Sequence, residues 1–500
     1  AEQLQNLAKF GADNNGYLSW TAQSVWIEQK LDITFDDSKV LFYKNGKALT
    51  KENNQDRYKS PTIKNINSGN KFSSSHYEQG DDYYVLDGLN NKFVETVQGG
   101  SIFDLRITNI NAEFVIDSVQ QYGGDQTGAY VYNIRVSDSK LKKGMFRNIT
   151  QSKVKDCDIV HSEIQENGFA ETMTNSVDIR NCNITDSKIG GNGFAGTIEG
   201  SCKIQNCMID NAEIQKNGFA EKIASSTHIE NCNITDAKII KNGFAGEIGE
   251  SNNCKVQNCA ISNSTIEGNG FAFELKGNKS NIINCTIVNA VVGENGFINQ
   301  YDGTISGCAL YADPDLYKEK EIHNYKPYSS DNGIYDYIAI GVNENGSKCK
   351  NSIAGFAKSS SGSGAKIENC SVTGCIYGTN DISGFVEKVT NEQKIANDYA
   401  NVVIYTEKNV SGFANIIDSG NATIQNCHAL GVIRKAQNAS GFISSIKNGA
   451  MFGNYEAFWN VSANDWQPFY SKHEAHKQLQ NNYYLTECAI NIQSGDAQFP

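Results

Sequence analysis

Fourteen cysteines and three small groups of acidic or histidine residues are the side chains of this chain with types suited to chemistry. Thiolates hold zinc or exchange as disulfides, paired carboxylates cleave glycosidic bonds, and two histidines on one helix face bind a metal. The pairs Cys202/Cys207, Cys254/Cys259 and Cys370/Cys375 share a C-x4-C spacing that matches no zinc knuckle. Cys157, Cys182, Cys207, Cys232, Cys259 and Cys285 recur instead at a nearly constant interval. A straight column of thiols does not surround a tetrahedral ion. These cysteines read as inert, buried small hydrophobes, with disulfides between neighbouring copies as the alternative that spacing permits. Asp81, Asp82 and Asp87 form one acidic group and Asp313 with Asp315 another, but neither has a His or Arg partner that recurs with them. His473-Glu474-Ala475-His476 places its histidines three apart, one short of the H-E-x-x-H spacing. No catalytic, cofactor-binding or metal-ligating residue is assigned, and no cofactor is expected.

The elements that carry these residues follow from a repeat. The phrase NGFA recurs with its phenylalanine at Phe169, Phe194, Phe219, Phe244 and Phe271, the first four equally spaced, and NGFI supplies Phe297. Asn-Cys keeps step with it, following each phenylalanine by roughly half a period. A constant period of about 25 residues marks a solenoid. Between Phe194 and Phe219 the apolar residues Ile198, Ile204, Cys207, Ile209 and Ile214 lie at strand spacing, in pieces broken by Gly, Asn, Ser and Asp. The predicted fold is therefore all-β, a right-handed parallel β-helix of about a dozen coils of 23–29 residues with terminal caps.

Stacking assigns each repeated residue a place. Asn167, Asn192, Asn217, Asn242 and Asn269 precede glycine at a turn expected to need positive φ, and their amides are expected to form a ladder. Phe169, Phe194, Phe219, Phe244 and Phe271 are expected to stack as an internal spine. Cys182, Cys207, Cys232, Cys259 and Cys285 are expected to form the thiol column. Gly-Phe landmarks at Phe356, Phe385, Phe413 and Phe442, spaced slightly wider than those before them, predict a second block of longer coils. The organisation expected is a cap and first strands over 1–100, a regular block over 101–300, an insertion over 301–345, a second block over 346–450 and a cap over 451–500. The insertion holds seven of the 23 tyrosines. It is read as projecting from the coils, with Tyr311, Tyr317, Tyr325, Tyr328 and Tyr335 as candidate contacts for a glycan or protein and with Tyr325 expected to matter little for stability, although tyrosines packing a long loop onto the flank of the coils are the commoner outcome.

The arrangement resembles the GLUG-motif β-helix proteins of bacterial surfaces. AEQLQNLAKF, WIEQKLDIT, VLDGLNNKF and IFDLRITNINAE look like that family's opening segments, Gly-Phe-Ala-Gly at 193–196 and 243–246 is close to its coil phrase, and Asn482-Tyr483-Tyr484-Leu485 resembles its closing strand. The shifted phenylalanine and the Asn-Cys column depart from the usual form. The resemblance implies an adhesin-like module, secreted or at the cell surface, and no catalytic residue.

A net charge of −12 argues against nucleic acid, and no run of 18 apolar residues is present to span a membrane. The leading expectation is a non-catalytic extracellular adhesin or stalk whose partner is a host or environmental glycan or protein. The first alternative is a structural subunit of an extracellular filament joined end to end to copies of itself. The second is a polysaccharide-active enzyme or phage-like spike.

Overall fold

The structure, a computed structural model, describes residues 92–467 apart from 122–127, 251–252, 319–320, 330, 361 and 391, with the backbone of short strands within 17–87 and of Tyr470–His473. Side chains are not described in those outlying strands or at 250, 420, 448–460 and 466–467. Most of the expected N-terminal cap and C-terminal cap thus lies outside the described residues, as do the tryptophan side chains, Asp81, Asp82, the Asp87 side chain and the side chains of the His473–His476 segment. The chain divides into two compact units, residues 1–215 with 219–221, and residues 216–218 with 222–500. The parallel strands form a β-solenoid of about 12 turns with almost no helix.

One coil of the first unit shows why the repeat folds this way. It is made of four short strands, Ala170–Thr174, Asp178–Arg180, Asn183–Thr185 and Lys188–Ile189. Each pairs in parallel with its equivalent one coil on, with Ala170 opposite Ala195, Ile179 opposite Ile204, Ile184 opposite Ile209 and Ile189 opposite Ile214. The isoleucines point inward and are fully buried, while the polar residues between them face out, the period-two alternation of a strand buried on one face.

The phenylalanines form a stacked spine in each unit. In the first, ring centroids lie 4.6 Å apart for Phe169–Phe194 and 4.7 Å for Phe194–Phe219, with planes within 8° of parallel. In the second, the stack runs through Phe244, Phe271, Phe297, Phe356, Phe385, Phe413 and Phe442 at 4.8 to 4.9 Å. The asparagines before them are mostly buried and linked, Asn192 Nδ2 donating to Asn167 Oδ1 at 2.8 Å and Asn242, Asn269 and Asn295 donating in turn at 2.8 to 2.9 Å.

The reason expected for the Asn-Gly pairs is corrected by the backbone. Neither these asparagines nor the glycines after them have positive φ. The glycines are required by close approach instead: a Cβ on Gly168 would collide with the carbonyl oxygen of Gly193, and one on Gly243 with that of Gly270. Left-handed backbone occurs at the asparagine of Asn-Cys, with φ of 53° at Asn181 and 56° at Asn206, and again one corner further on at Asp186 and Asn211, both 50°. Asn and Asp tolerate this region at least cost among residues with a side chain. Two such corners bracket each Asn183–Thr185-type strand and turn the chain.

The thiol column has an equally local cause. Each Cys Sγ donates to the carbonyl two positions earlier, Cys182 to Arg180 at 3.3 Å and Cys259 to Gln257 at 3.3 Å. Serine does the same one corner further on, where Ser187 Oγ donates to Thr185 O at 2.7 Å. Cysteine therefore serves as a small residue that fills the corner and satisfies a carbonyl. Burial pushes the thiols of Cys182, Cys259 and Cys285 up, away from the reactive thiolate. All thirteen described cysteines are free.

Removing one ring from the spine leaves a cavity that the stacked neighbours cannot close. Phe219→Ala is expected to lower stability by about 3–5 kcal/mol, read from the urea unfolding midpoint; a variant that unfolds with the parent would contradict the inward stack.

Candidate functional site: a tyrosine-rich strap and its surroundings

The insertion begins and ends inside a single strand. In the preceding coil Thr286–Val292 is continuous, and in the following one so is Ser371–Tyr377. Between them the strand is split into Ala309–Tyr311 and Ile338–Ile340, each half keeping its register with both neighbours. Residues 312–337 make the excursion, narrower than the segment expected, and contain the helix Pro314–Lys318 and the 3-10 turn Gly333–Tyr337.

The excursion does not project. It lies along the coils of the second unit as a strap. Asp236, at a left-handed corner, accepts the backbone N–H of His323 at 2.8 Å and of Asn324 at 2.7 Å. One coil on, Thr265 Oγ1 donates to Asn324 O at 2.9 Å, and in the next Asn289 and Asp313 exchange hydrogen bonds of 2.6 and 2.7 Å. On the far side Tyr335 Oη donates to Asn401 Oδ1 at 3.1 Å, and Tyr405 Oη donates to Asn332 Oδ1 at 2.9 Å.

What holds the strap is an apolar stripe on the outside of the coils. Val291, Ala339, Cys375 and Val403 follow one another in register, and all are buried. Tyr325 packs on them at 1% exposure and donates its hydroxyl to Tyr337 O at 2.6 Å. Tyr317 meets Tyr325 edge-on at 5.7 Å, and Tyr328 meets Tyr377 edge-on at 4.9 Å. Burial pushes the Tyr325 hydroxyl well above the ordinary tyrosine range. Tyr325 is therefore a packing residue and not an accessible contact, and the small role in stability expected of it is corrected. Tyr317, Tyr328 and Tyr335 are half-buried, and Tyr311 is 39% exposed. Among its exposed residues, Tyr311 and Ile334, at 50%, are the large apolar ones, beside Arg434 5.8 Å over the Tyr405 ring, and Asp315, Lys318, Glu321, His323, Lys326 and Asp331 are exposed as well.

The acidic candidates have structural duties. Asp313 Oδ1 accepts the N–H of Asp315 and Leu316 at the start of the short helix, and Asp315 pairs with Lys318 at 3.6 Å. Among the described residues no group of His, Cys, Asp and Glu is arranged to hold a metal ion, and no helix is long and apolar enough to cross a membrane.

One buried group escaped the sequence reading. Asp398 occupies the place in the second unit that cysteine fills in neighbouring coils, between Cys370 and Cys427. Its Oδ1 accepts the Cys370 N–H at 2.7 Å, but its Oδ2 is buried without a hydrogen-bond partner. Tyr301 lies in the same interior, where its hydroxyl accepts from Gln393 Nε2 at 2.6 Å. Burial drives the Asp398 carboxyl well above the ordinary carboxylate range, and the charge of Glu368 adds to the shift. The sequence signal was Asn397-Asp398 standing where Asn-Cys stands in other coils. Compared with protein-family models, curated proteins and solved structures, the chain matches none.

Two outcomes are expected from this packing. Tyr325→Ala should cost about 3–5 kcal/mol in denaturant unfolding, and an unchanged midpoint would contradict the buried strap. An acid whose pKa is raised by folding stabilises fully below its unfolded value of about 3.9, and loses that contribution as pH climbs toward the folded value. Asp398→Cys continues the column without an ionisable carboxyl, so it is expected to raise the unfolding midpoint more at pH 8 than at pH 4.

Proposed function

We propose that this chain is a non-catalytic extracellular β-helix protein that acts as a surface adhesin or stalk, binding a host or environmental glycan or protein. The observation that supports this reading most is the strap. The segment 312–337 interrupts one strand and is fastened by hydrogen bonds over successive coils, which holds Tyr311, Ile334 and Tyr335 in fixed positions on a rigid support. A binding loop ordered before its partner arrives loses less conformational freedom on binding. The resemblance of the opening and closing segments to GLUG-motif proteins agrees with a surface module.

The test is a binding panel of glycans and extracellular matrix proteins, run with the parent and with Ile334→Asp combined with Tyr311→Ala. Both substituted side chains are exposed, so the fold is expected to be retained. Binding that falls at least tenfold in the double variant supports the reading. New reducing ends or unsaturated products from any polysaccharide would overturn it in favour of an enzyme, and concentration-dependent elongation into filaments would overturn it in favour of a structural subunit.

A further inference from the structure

The first unit carries a second surface, unrelated to the strap, where aromatic and cationic side chains gather on three successive coils. Strand Ser101–Thr108 pairs in parallel with Tyr130–Ser137, which pairs with Lys153–Lys155 and Asp158–Val160. Ile102, Val131 and Val154 from these strands are buried in the core, so their neighbours face out. Two outward columns result, Ser101–Tyr130–Lys153 and Phe103–Tyr132–Lys155. Across the left-handed corner formed by Asp104, Asn133 and Asp156, a third column holds Arg106, Arg135 and Asp158.

The electrostatics of this face are unusual for a chain of net charge −12. Arg106, Arg135, Lys153 and Lys155 stand there against Asp104, Asp156 and Asp158, carboxylates that keep their charge while each accepts from an asparagine of the next coil. Asp104 Oδ1 accepts from Asn133 Nδ2 at 2.6 Å, Asp156 Oδ1 from Asn181 at 2.9 Å, and Asp158 Oδ1 from Asn183 at 3.0 Å. Among the described residues Arg135 and Lys155 have no carboxylate within ion-pair distance. One coil further the surplus ends, because Arg180 is held by both oxygens of Asp178 at 2.8 and 2.9 Å.

The aromatic residues present hydroxyls as well as rings. Tyr132 stacks on Phe103 at 4.7 Å with planes 4° apart, and Lys153 Nζ lies 5.2 Å above the Tyr130 ring and 3.2 Å from its hydroxyl. Tyr130 and Tyr132 are nevertheless 41% and 37% exposed. One face of Tyr132 is taken by Phe103 and one face of Tyr130 lies under Lys153 Nζ, which leaves fewer open ring faces. That arrangement suits hydrogen-bonding sugar hydroxyls better than stacking nucleobases, which needs open aromatic faces. Lysine and arginine without partners call for anionic groups, and a bidentate guanidinium matches a carboxylate. Coils repeat about every 4.8 Å, close to the advance of one sugar in an extended polysaccharide, so a chain laid along the stacking direction passes Phe103 and Arg106, then Tyr130, Tyr132 and Arg135, then Lys153 and Lys155 on successive coils.

We propose that the face formed by Phe103, Tyr130, Tyr132, Arg135, Lys153 and Lys155 binds a carboxylated polysaccharide running along the stacking direction. This goes beyond the reading of the strap and assigns an anionic glycan to residues of the first unit.

The test is affinity electrophoresis of the full chain in gels containing polygalacturonate, with dextran as the neutral polymer and a single-stranded oligonucleotide as competitor, and with assay of the gel polymer for unsaturated products. Retardation by polygalacturonate but not dextran is expected, weakening with salt and falling at least tenfold in Arg135→Ser/Lys155→Ser. Absence of retardation, equal retardation by dextran, or retardation unchanged in the Arg135/Lys155 variant would overturn the proposal. Release of bound polygalacturonate by the oligonucleotide at lower concentration than by free galacturonate oligomers would overturn the ligand class. Binding accompanied by cleavage would leave this site standing and defeat the non-catalytic reading, whereas absence of binding here would leave the strap's test untouched.

Discussion

The constraint behind every other feature is in-register backbone pairing between coils. Each strand donates and accepts hydrogen bonds along both edges with copies of itself, so equivalent residues must share one narrow column. Phe169 N–H donates to Phe194 O at 2.7 Å, and Gly168 N–H to Asn192 O at 2.9 Å. A column accepts only side chains that stack on themselves, which explains why the interior is built from phenylalanine, isoleucine, asparagine and cysteine in rows. The same constraint excludes a Cβ at Gly168, where the next coil's carbonyl already occupies the space.

Much of this was legible because a column in space is a period in sequence. The constant phenylalanine interval, the Asn ladder and the thiol column translated directly into the stacked spine and its neighbours. The backbone reason for the Asn-Gly pairs was not legible, since glycine serves equally well for positive φ and for close approach, and only the position of the next coil separates the two. The left-handed corners fell instead on Asn181 and Asp186 and their equivalents, residues whose side chains also form ladders, as Asn211 does with Asp186 at 2.7 Å.

The insertion was expected to project, and the structure instead shows the commoner outcome for a tyrosine-rich loop, its rings packed on the flank of the coils. That surface had a sequence signal. The repeat position held by Lys188 and Glu213 in the first unit is still charged at Lys238 in the second and then becomes Thr265, Val291, Ala339, Cys375 and Val403. A charged outer position that turns apolar over consecutive coils marks a stripe that something must cover. Asp398 is the converse case, a polar residue entering an apolar column, and its cost is set by the orphaned Oδ2. The aromatic and cationic face of the first unit was illegible for a different reason: Phe103, Tyr132 and Lys155 share no residue type, so no period in the sequence marks their column before the register is known.

The central claim, that residues one period apart are spatial neighbours, is tested most directly by cross-linking. Thr172 and Thr197 are outward register partners in adjacent coils, whereas Thr172 and Lys203 are not paired. Thr172→Cys/Thr197→Cys is expected to form a disulfide under mild oxidation, identified by mass spectrometry of the digested protein, and Thr172→Cys/Lys203→Cys is expected to remain reduced. Equal cross-linking of the two pairs, or linkage of the second alone, would contradict the stacked register and the account built on it.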